Sequence, residues 1–252
     1  MLPKLWIFNT YSLCLIAGIV ACFGLFLLYM KKYGAKKSYI YDVLVLASVA
    51  ILFGLLSATL FQYVFDLLNG HNEFGSMTFY GGLIGGAALF IIVYLTLFKK
   101  RWPEYPFMMV LVIAPACITI AHAFGRIGCF CSGCCYGIET DSWLGVQFPG
   151  MHHKVYPTQL FESFYLFILS GVLFLLAYKF NFKYTMPVYC LAYGVWRFLI
   201  EFIRGDERGF VLFGLHPAQL ISILAVIIGI TLIFVYKFKM LKKTDNQEQN
   251  EV

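Results

Sequence analysis

Seven runs of mostly apolar residues, each about 20 long, dominate this chain, and a helix needs a run of that length to cross a hydrocarbon core of roughly 30 Å. They fall at about residues 9–30, 43–65, 77–98, 106–124, 158–178, 186–204 and 215–236. In lipid a backbone must satisfy its own polar groups, and an apolar run of this length does so as an α-helix. The expected fold is all-α, a polytopic membrane protein of about seven transmembrane helices. Only 13% of the residues are charged, about half the usual share in a soluble domain. Little chain is left over for a separate soluble part, so residues 1–243 are expected to form one transmembrane domain and 244–252 a polar, disordered tail. The first run is too long for a cleaved signal peptide and no small-residue cleavage site follows it, so it is expected to stay as an anchor.

Basic residues give the expected orientation. With the N-terminus outside, the inner loops collect Lys31, Lys32, Lys36, Lys37, Lys99, Lys100, Arg101, Lys179, Lys183, Lys237, Lys239, Lys242 and Lys243, thirteen of the 19 Lys and Arg. Cytoplasmic loops are enriched in just these residues, so the N-terminus is expected outside and the C-terminus in the cytoplasm. The formal charge of +6 thus concerns orientation. No long basic run lies outside these loops, so no nucleic-acid partner is expected.

This topology gathers the unusual polar residues at one depth. Tyr11, Tyr80, His122, Arg126, Gln159, Glu162, Arg197, Glu201, Arg204, His216, Gln219 and Ser222 all fall in the outward parts of their spans. An ionisable group inside a membrane costs about 2.5–3.5 kcal/mol on insertion scales, so such groups face a cavity and each other. A polar chamber at the outer leaflet follows. Its sharpest element is Tyr193, Arg197, Glu201 and Arg204, spaced 4, 4 and 3 and hence on one helical face. Glu201 has Arg197 at i−4 and Arg204 at i+3 as pairing partners. The face keeps one net positive charge, which suits a phosphodiester held by guanidinium forks. The bland alternative is a span end whose charges reach the interface.

Three further segments carry signals. Glycines surround Arg126 in Gly125-Arg126-Ile127-Gly128 and on to Gly133 and Gly137; they let backbone amides approach an anion, or form a tight re-entrant turn. Cys129, Cys131, Cys134 and Cys135 fall within seven residues. Small packing thiols, a disulfide and a zinc site compete there, and the spacing fits no common structural zinc pattern. In Tyr156-Pro157-Thr158-Gln159-Leu160-Phe161-Glu162, Thr158 is placed to cap a helix, and Glu162 to counter an arginine or take a proton. His216-Pro217-Ala218-Gln219 echoes it at the seventh span. Gly81 with Gly85, and Gly82 with Gly86, form small-xxx-small pairs for close helix packing.

In order and spacing these segments, with Tyr11-Ser12-Leu13, resemble the prolipoprotein diacylglyceryl transferase family of bacteria, as a Cys-rich, divergent member. The resemblance implies seven spans in a bacterial plasma membrane and a site open to the outer leaflet. It implies transfer of the diacylglyceryl group of phosphatidylglycerol to the lipobox cysteine of a prolipoprotein, with release of glycerol phosphate and no metal or cofactor. Arg126, Arg197, Glu201 and Tyr80 are the catalytic positions so implied. Tyr11, Gly81, Gly82, Gly125, Gly128, Gln159, Glu162, Tyr193, Arg204 and Gln219 are expected to bind substrate. Three positions depart from the family: Tyr80 where it usually has His, Cys129 where it has Asn, and Cys134 where it has Glu. A different acceptor, a lipid-binding or transport protein with a polar chamber, and a thiol redox or metal protein are the competing functions.

Overall fold

The computed structural model describes residues 4–5, 8–68, 79–205 and 214–248. Among them, two-residue strands β1 (Lys4–Leu5) and β2 (Phe8–Asn9) pair antiparallel ahead of a series of helices. These are α1 (Thr10–Lys32), α2 (Lys37–Leu68), α3 (Phe79–Val93), the short α4 (Lys99–Arg101), α5 (Phe107–Ser132), α6 (Thr158–Tyr178), α7 (Thr185–Ile200) and α8 (Pro217–Glu248). A π-helical turn at Tyr94–Phe98 joins α3 to α4, and a 3₁₀ turn at Glu201–Ile203 extends α7. Among the described residues, seven helices are long and apolar enough to span a membrane: Thr10–Lys32, Lys37–Val64, Gly81–Arg101, Phe107–Ser132, Thr158–Tyr178, Thr185–Ile203 and Pro217–Phe238. Their outward side chains include Leu52, Leu56, Ile84 and Phe164, each at least 66% exposed. Ser163, Ser170, Thr158 and Thr185 are buried. A soluble protein distributes these the other way round; a lipid surround permits it.

The chain packs as two compact units, residues 30–110 and residues 1–29 with 111–252. In the first, α2 and α3 pack through glycine. A Cβ on Gly54 would meet the Gly82 carbonyl at 2.9 Å, and one on Gly86 the Ala50 carbonyl at the same distance. Ser57 Oγ donates to the Gly81 carbonyl at 2.9 Å. The small-xxx-small reading of Gly81, Gly82, Gly85 and Gly86 is therefore realised as close helix contact. The unit's other end is aromatic: Tyr39 stacks on Tyr105 with centroids 4.1 Å apart and shares a 2.8 Å hydrogen bond with Tyr94, while Trp102 donates to Asp42.

In the second unit α6 is bound to α5 by hydroxyls that replace water as backbone partners. Ser163 and Ser170 donate to the carbonyls of Ala123 and Ala116 at 3.0 and 2.9 Å, and Thr185 of α7 reaches Val112 at 2.7 Å. Such interhelical hydrogen bonds hold bundles together where no hydrophobic drive acts between helices. Tyr165 of α6 stacks flat on Trp196 of α7 at 4.2 Å and donates to the Ala192 carbonyl at 2.8 Å. A Cβ on Gly194 would lie 2.9 Å from Val226, so α8 comes close to α7 there.

Three boundaries differ from expectation, the first being the start of α2, which lies at Lys37 rather than near residue 43. The fourth span continues from residue 124 to Ser132, because the glycines, expected to form an anion cradle or a re-entrant turn, are tolerated by a helix whose neighbours hold it. The last helix runs to Glu248, so part of the polar segment expected to be disordered is helical. Residues 249–252 lie outside the described residues.

Candidate active site

Glu162, in the second turn of α6, is fully buried and collects partners from two other helices. Arg126 of α5 faces it with both forks of the guanidinium: Nε lies 2.9 Å from Oε2, and Nη2 donates to Oε1 at 3.1 Å. The Tyr193 hydroxyl of α7 donates to Oε1 at 2.9 Å. His122, one helical turn before Arg126, brings Nε2 to 3.8 Å from the same oxygen and sets its ring edge-on to Tyr193. A carboxylate with no exposed surface needs this company, since an uncompensated buried charge is costly.

A second carboxylate sits at the end of α7. Glu201 Oε2 is 2.7 Å from Arg197 Nη1 and 3.8 Å from Arg204 Nε. The i−4 and i+3 pairings expected from spacing both occur, but by different means. Tyr193, Arg197 and Glu201 follow the helix; Arg204 does not, because the chain tightens into a 3₁₀ turn and leaves in extended conformation at φ −81°, ψ 141°. Arg204 pairs its backbone with Gly137 instead. That approach requires glycine, because a Cβ on Gly137 would fall 2.5 Å from the Ile203 carbonyl.

The two clusters form one electrostatic neighbourhood, since Arg126 and Arg197 both act on Glu162, His122 and Tyr193. Three arginines and two glutamates leave one net positive charge. Arg197, Glu201 and Arg204 are each under 9% exposed. Several of these atoms face opposite charges without an aligned hydrogen bond: Arg126 Nε, Arg197 Nη1, Glu162 Oε2 and Glu201 Oε2. Guanidinium N–H groups in that state suit an incoming anion, and a phosphodiester matches the surplus charge.

Other expected site residues serve the framework. Gln159 donates to the Cys134 carbonyl and Thr158 to the Cys135 carbonyl, so both tie the loop after α5 to the start of α6. Thr158 makes no cap, because it stands inside the helix whose boundary residue is Pro157. Gln219 accepts from the His216 amide at 3.0 Å and closes its own helix start. Backbone thus takes Gln159 Nε2 and Gln219 Oε1, while the buried Gln159 Oε1 has no hydrogen-bond partner, and their likeness in sequence hides different uses. Gly125 and Gly128 lie in α5, so their amides belong to a helix and form no anion cradle. A Cβ on Gly128 would sit 2.8 Å from the Tyr11 ring, which makes it the seat for Tyr11 of α1. Gly81 and Gly82 contact α2, as described. The Tyr80 side chain lies outside the described residues. His122, expected at the outward end of the fourth span but given no role there, joins the site through Glu162, four residues before Arg126 on the same face.

The cysteines divide. The Cys131 thiol pairs with Cys14 of α1. Cys129, Cys134 and Cys135 bring their three sulfurs within 4.8 Å of one another. Hydrogen bonds with the other two thiols hold Cys135 well below the ordinary thiol range, and the charges of Arg204 and Arg126 act in the same direction. On the flanks of α7 lie two apolar grooves, one of about 500 Å³ lined by Tyr165, Val188, Leu191, Trp196 and Leu199, the other of about 270 Å³ lined by Phe198, Ser222, Ile223 and Val226.

Comparison with known proteins returns a consistent picture. The model of the family described as prolipoprotein diacylglyceryl transferase matches residues 4–235. A phosphatidylglycerol–prolipoprotein diacylglyceryl transferase of Clostridium tetani is 34% identical over 245 residues, covering 91% of this chain and 93% of the relative. One of Clostridium perfringens is 33% identical over 252 residues, covering 93% of each.

Proposed function

We propose, for a chain that belongs to the prolipoprotein diacylglyceryl transferase family, that it moves the diacylglyceryl group of phosphatidylglycerol to the thiol of a lipobox cysteine. The reaction takes place in a bacterial plasma membrane, with the N-terminus outside, the C-terminus in the cytoplasm and the site toward the outer leaflet. The lysine-rich helix ends at Lys31, Lys32, Lys36 and Lys37 and at Lys99 to Arg101 support that orientation. The observation that carries the function is the group formed by Arg126, largely covered, and the buried Arg197 and Arg204, with its surplus positive charge.

Charge develops in this reaction where those guanidinium groups are. The acceptor sulfur attacks the glyceryl carbon that bears the phosphate, the C–O bond breaks, and glycerol phosphate leaves. A diester with one negative charge becomes a monoester whose second ionisation lies near pH 6. Negative charge on the phosphate therefore grows along the path, and arginines fixed by Glu162 and Glu201 hold the transition state better than the bound lipid. Tyr193 fixes the Glu162 oxygen that orients Arg126, and Tyr11 sits against the same helix. The grooves on the flanks of α7 give the two acyl chains apolar beds. Tyr80 remains a proposed contributor.

Purified protein given glycerol-labelled phosphatidylglycerol and a lipobox peptide tests this reading. The expected result is labelled peptide with stoichiometric glycerol phosphate, lost in both Arg126→Ala and Arg197→Ala. Glycerol phosphate formed with a labelled product other than the peptide would move the acceptor elsewhere, a reading favoured by Cys129 and Cys134 at unusual positions. Lipid bound and released intact would replace transfer by lipid carriage.

A further inference from the structure

The thiols of Cys129, Cys134 and Cys135 are used by nothing described so far, and the fold brings them together at some effort. Cys129 lies one turn before the end of α5. The chain then passes through two left-handed residues, Gly133 at φ +71° and Cys135 at φ +65°. Glycine accepts that conformation readily; cysteine does not, and such a residue persists only where its surroundings hold it. Here they do. The Cys134 amide donates to the Cys129 carbonyl at 3.1 Å. The Cys134 and Cys135 carbonyls accept from Gln159 and Thr158 of α6. The backbone reversal returns two sulfurs to the first.

Three sulfurs within 4.8 Å are near what a zinc ion asks for. With Zn–S of about 2.3 Å, tetrahedral geometry sets the sulfurs about 3.8 Å apart, so no pair need close by more than about 1 Å. Cys131, the fourth cysteine of the segment, is turned toward Cys14 instead. Structural zinc sites complete four protein ligands, whereas sites that do chemistry keep one position open. Tyr11 and Arg126 are electrostatic neighbours of the trio, and Arg204 of Cys135, so an opening here borders the groups assigned to the lipid phosphate.

We infer that Cys129, Cys134 and Cys135 hold a zinc ion whose fourth coordination position receives the acceptor thiol. This rests on the transfer reading above. On coordination the acceptor S–H gives its proton to water, because a thiol bound to zinc is a thiolate. Its sulfur then supplies the electron pair of the new S–C bond. The pair of the broken C–O bond leaves with glycerol phosphate, and nothing is oxidised or reduced. The bound ion thereby supplies a nucleophile at neutral pH in a site whose described carboxylates, Glu162 and Glu201, are both engaged by arginines.

The test uses full-length protein purified without chelator. About one zinc per chain is expected, lost in the Cys129→Ser/Cys134→Ser/Cys135→Ser variant and kept in Cys131→Ser. Cobalt loaded in place of zinc is expected to show thiolate charge-transfer and visible d–d bands in the wild-type protein, which needs no variant to fold. The d–d bands should shift on adding a lipobox peptide, and not on adding the same peptide with serine for cysteine. The triple variant should transfer at least about 100-fold more slowly. No stoichiometric metal with all three thiols free, a disulfide among them, or cuprous ion in place of zinc would overturn the site. Bound cobalt blind to the cysteine peptide would overturn its acceptor role. A peptide-sensitive metal in a protein that forms no labelled peptide would leave this site standing and sink the donor reading instead.

Discussion

Glu162→Gln is the substitution that reports most on the buried charge cluster. The side chain keeps its volume and loses its charge, leaving Arg126 facing a neutral amide. At present both forks of Arg126 lie within 3.1 Å of the carboxylate, Tyr193 donates to it at 2.9 Å, and His122 stands at 3.8 Å. Glu162 has no exposed surface, so water cannot take over. Removing one partner of such a pair costs about 3–5 kcal/mol. For a chain of this size that lowers the midpoint of thermal unfolding by roughly 6–20 °C. Fluorescence-detected melting in detergent micelles measures it, with the transfer assay run on the same samples. The double variant Arg126→Ala/Glu162→Gln separates pairing from simple damage: it should recover much of the lost stability, because neither charge is left alone, yet remain inactive. A Glu162→Gln protein within about 0.5 kcal/mol of the parent, or singles that sum in the double with no coupling, would refute the reasoning.

Three further outcomes are expected. Tyr193→Phe removes one hydrogen bond to a charged group and should cost about 1.5–3 kcal/mol in melting experiments, with kcat reduced because Arg126 loses its fixed partner. Gly137→Ala places a methyl 2.5 Å from the Ile203 carbonyl; the resulting strain of about 1–3 kcal/mol should displace Arg204 and lower transfer more than it lowers the melting point. Gly54→Val drives a side chain into the Gly82 carbonyl, 2.9 Å from where its Cβ must go. It should loosen α2 from α3, seen as faster proteolysis within residues 30–110.

How much of this was legible in the sequence depends on whether the cause was local. The seven spans were, because hydropathy over about 20 residues is sufficient in lipid. Glu201 with Arg197 was, because helical spacing alone pairs them. The salt bridge between Arg126 and Glu162 was half legible: a buried carboxylate there called for an arginine, but nothing local says which one when the partner is 36 positions away. Arg204 was read onto the helix that it leaves, since the extended exit depends on backbone pairing with Gly137. Glycine spacing around Arg126 suggests loop chemistry, and only the packing of α1 shows Gly128 serving Tyr11. The cysteine cluster was least legible. Its spacing matches no zinc pattern, and the sulfurs meet only because Gly133 and Cys135 turn left-handed and α6 clamps their carbonyls.

The central claim is that buried arginines grip one lipid phosphate, and equilibrium binding of labelled phosphatidylglycerol in maltoside micelles tests it most directly. The charge-balanced Arg126→Ala/Glu162→Gln protein should bind at least about 30-fold more weakly than the parent, the equivalent of about 2 kcal/mol. Equal affinity in the two proteins would contradict the claim.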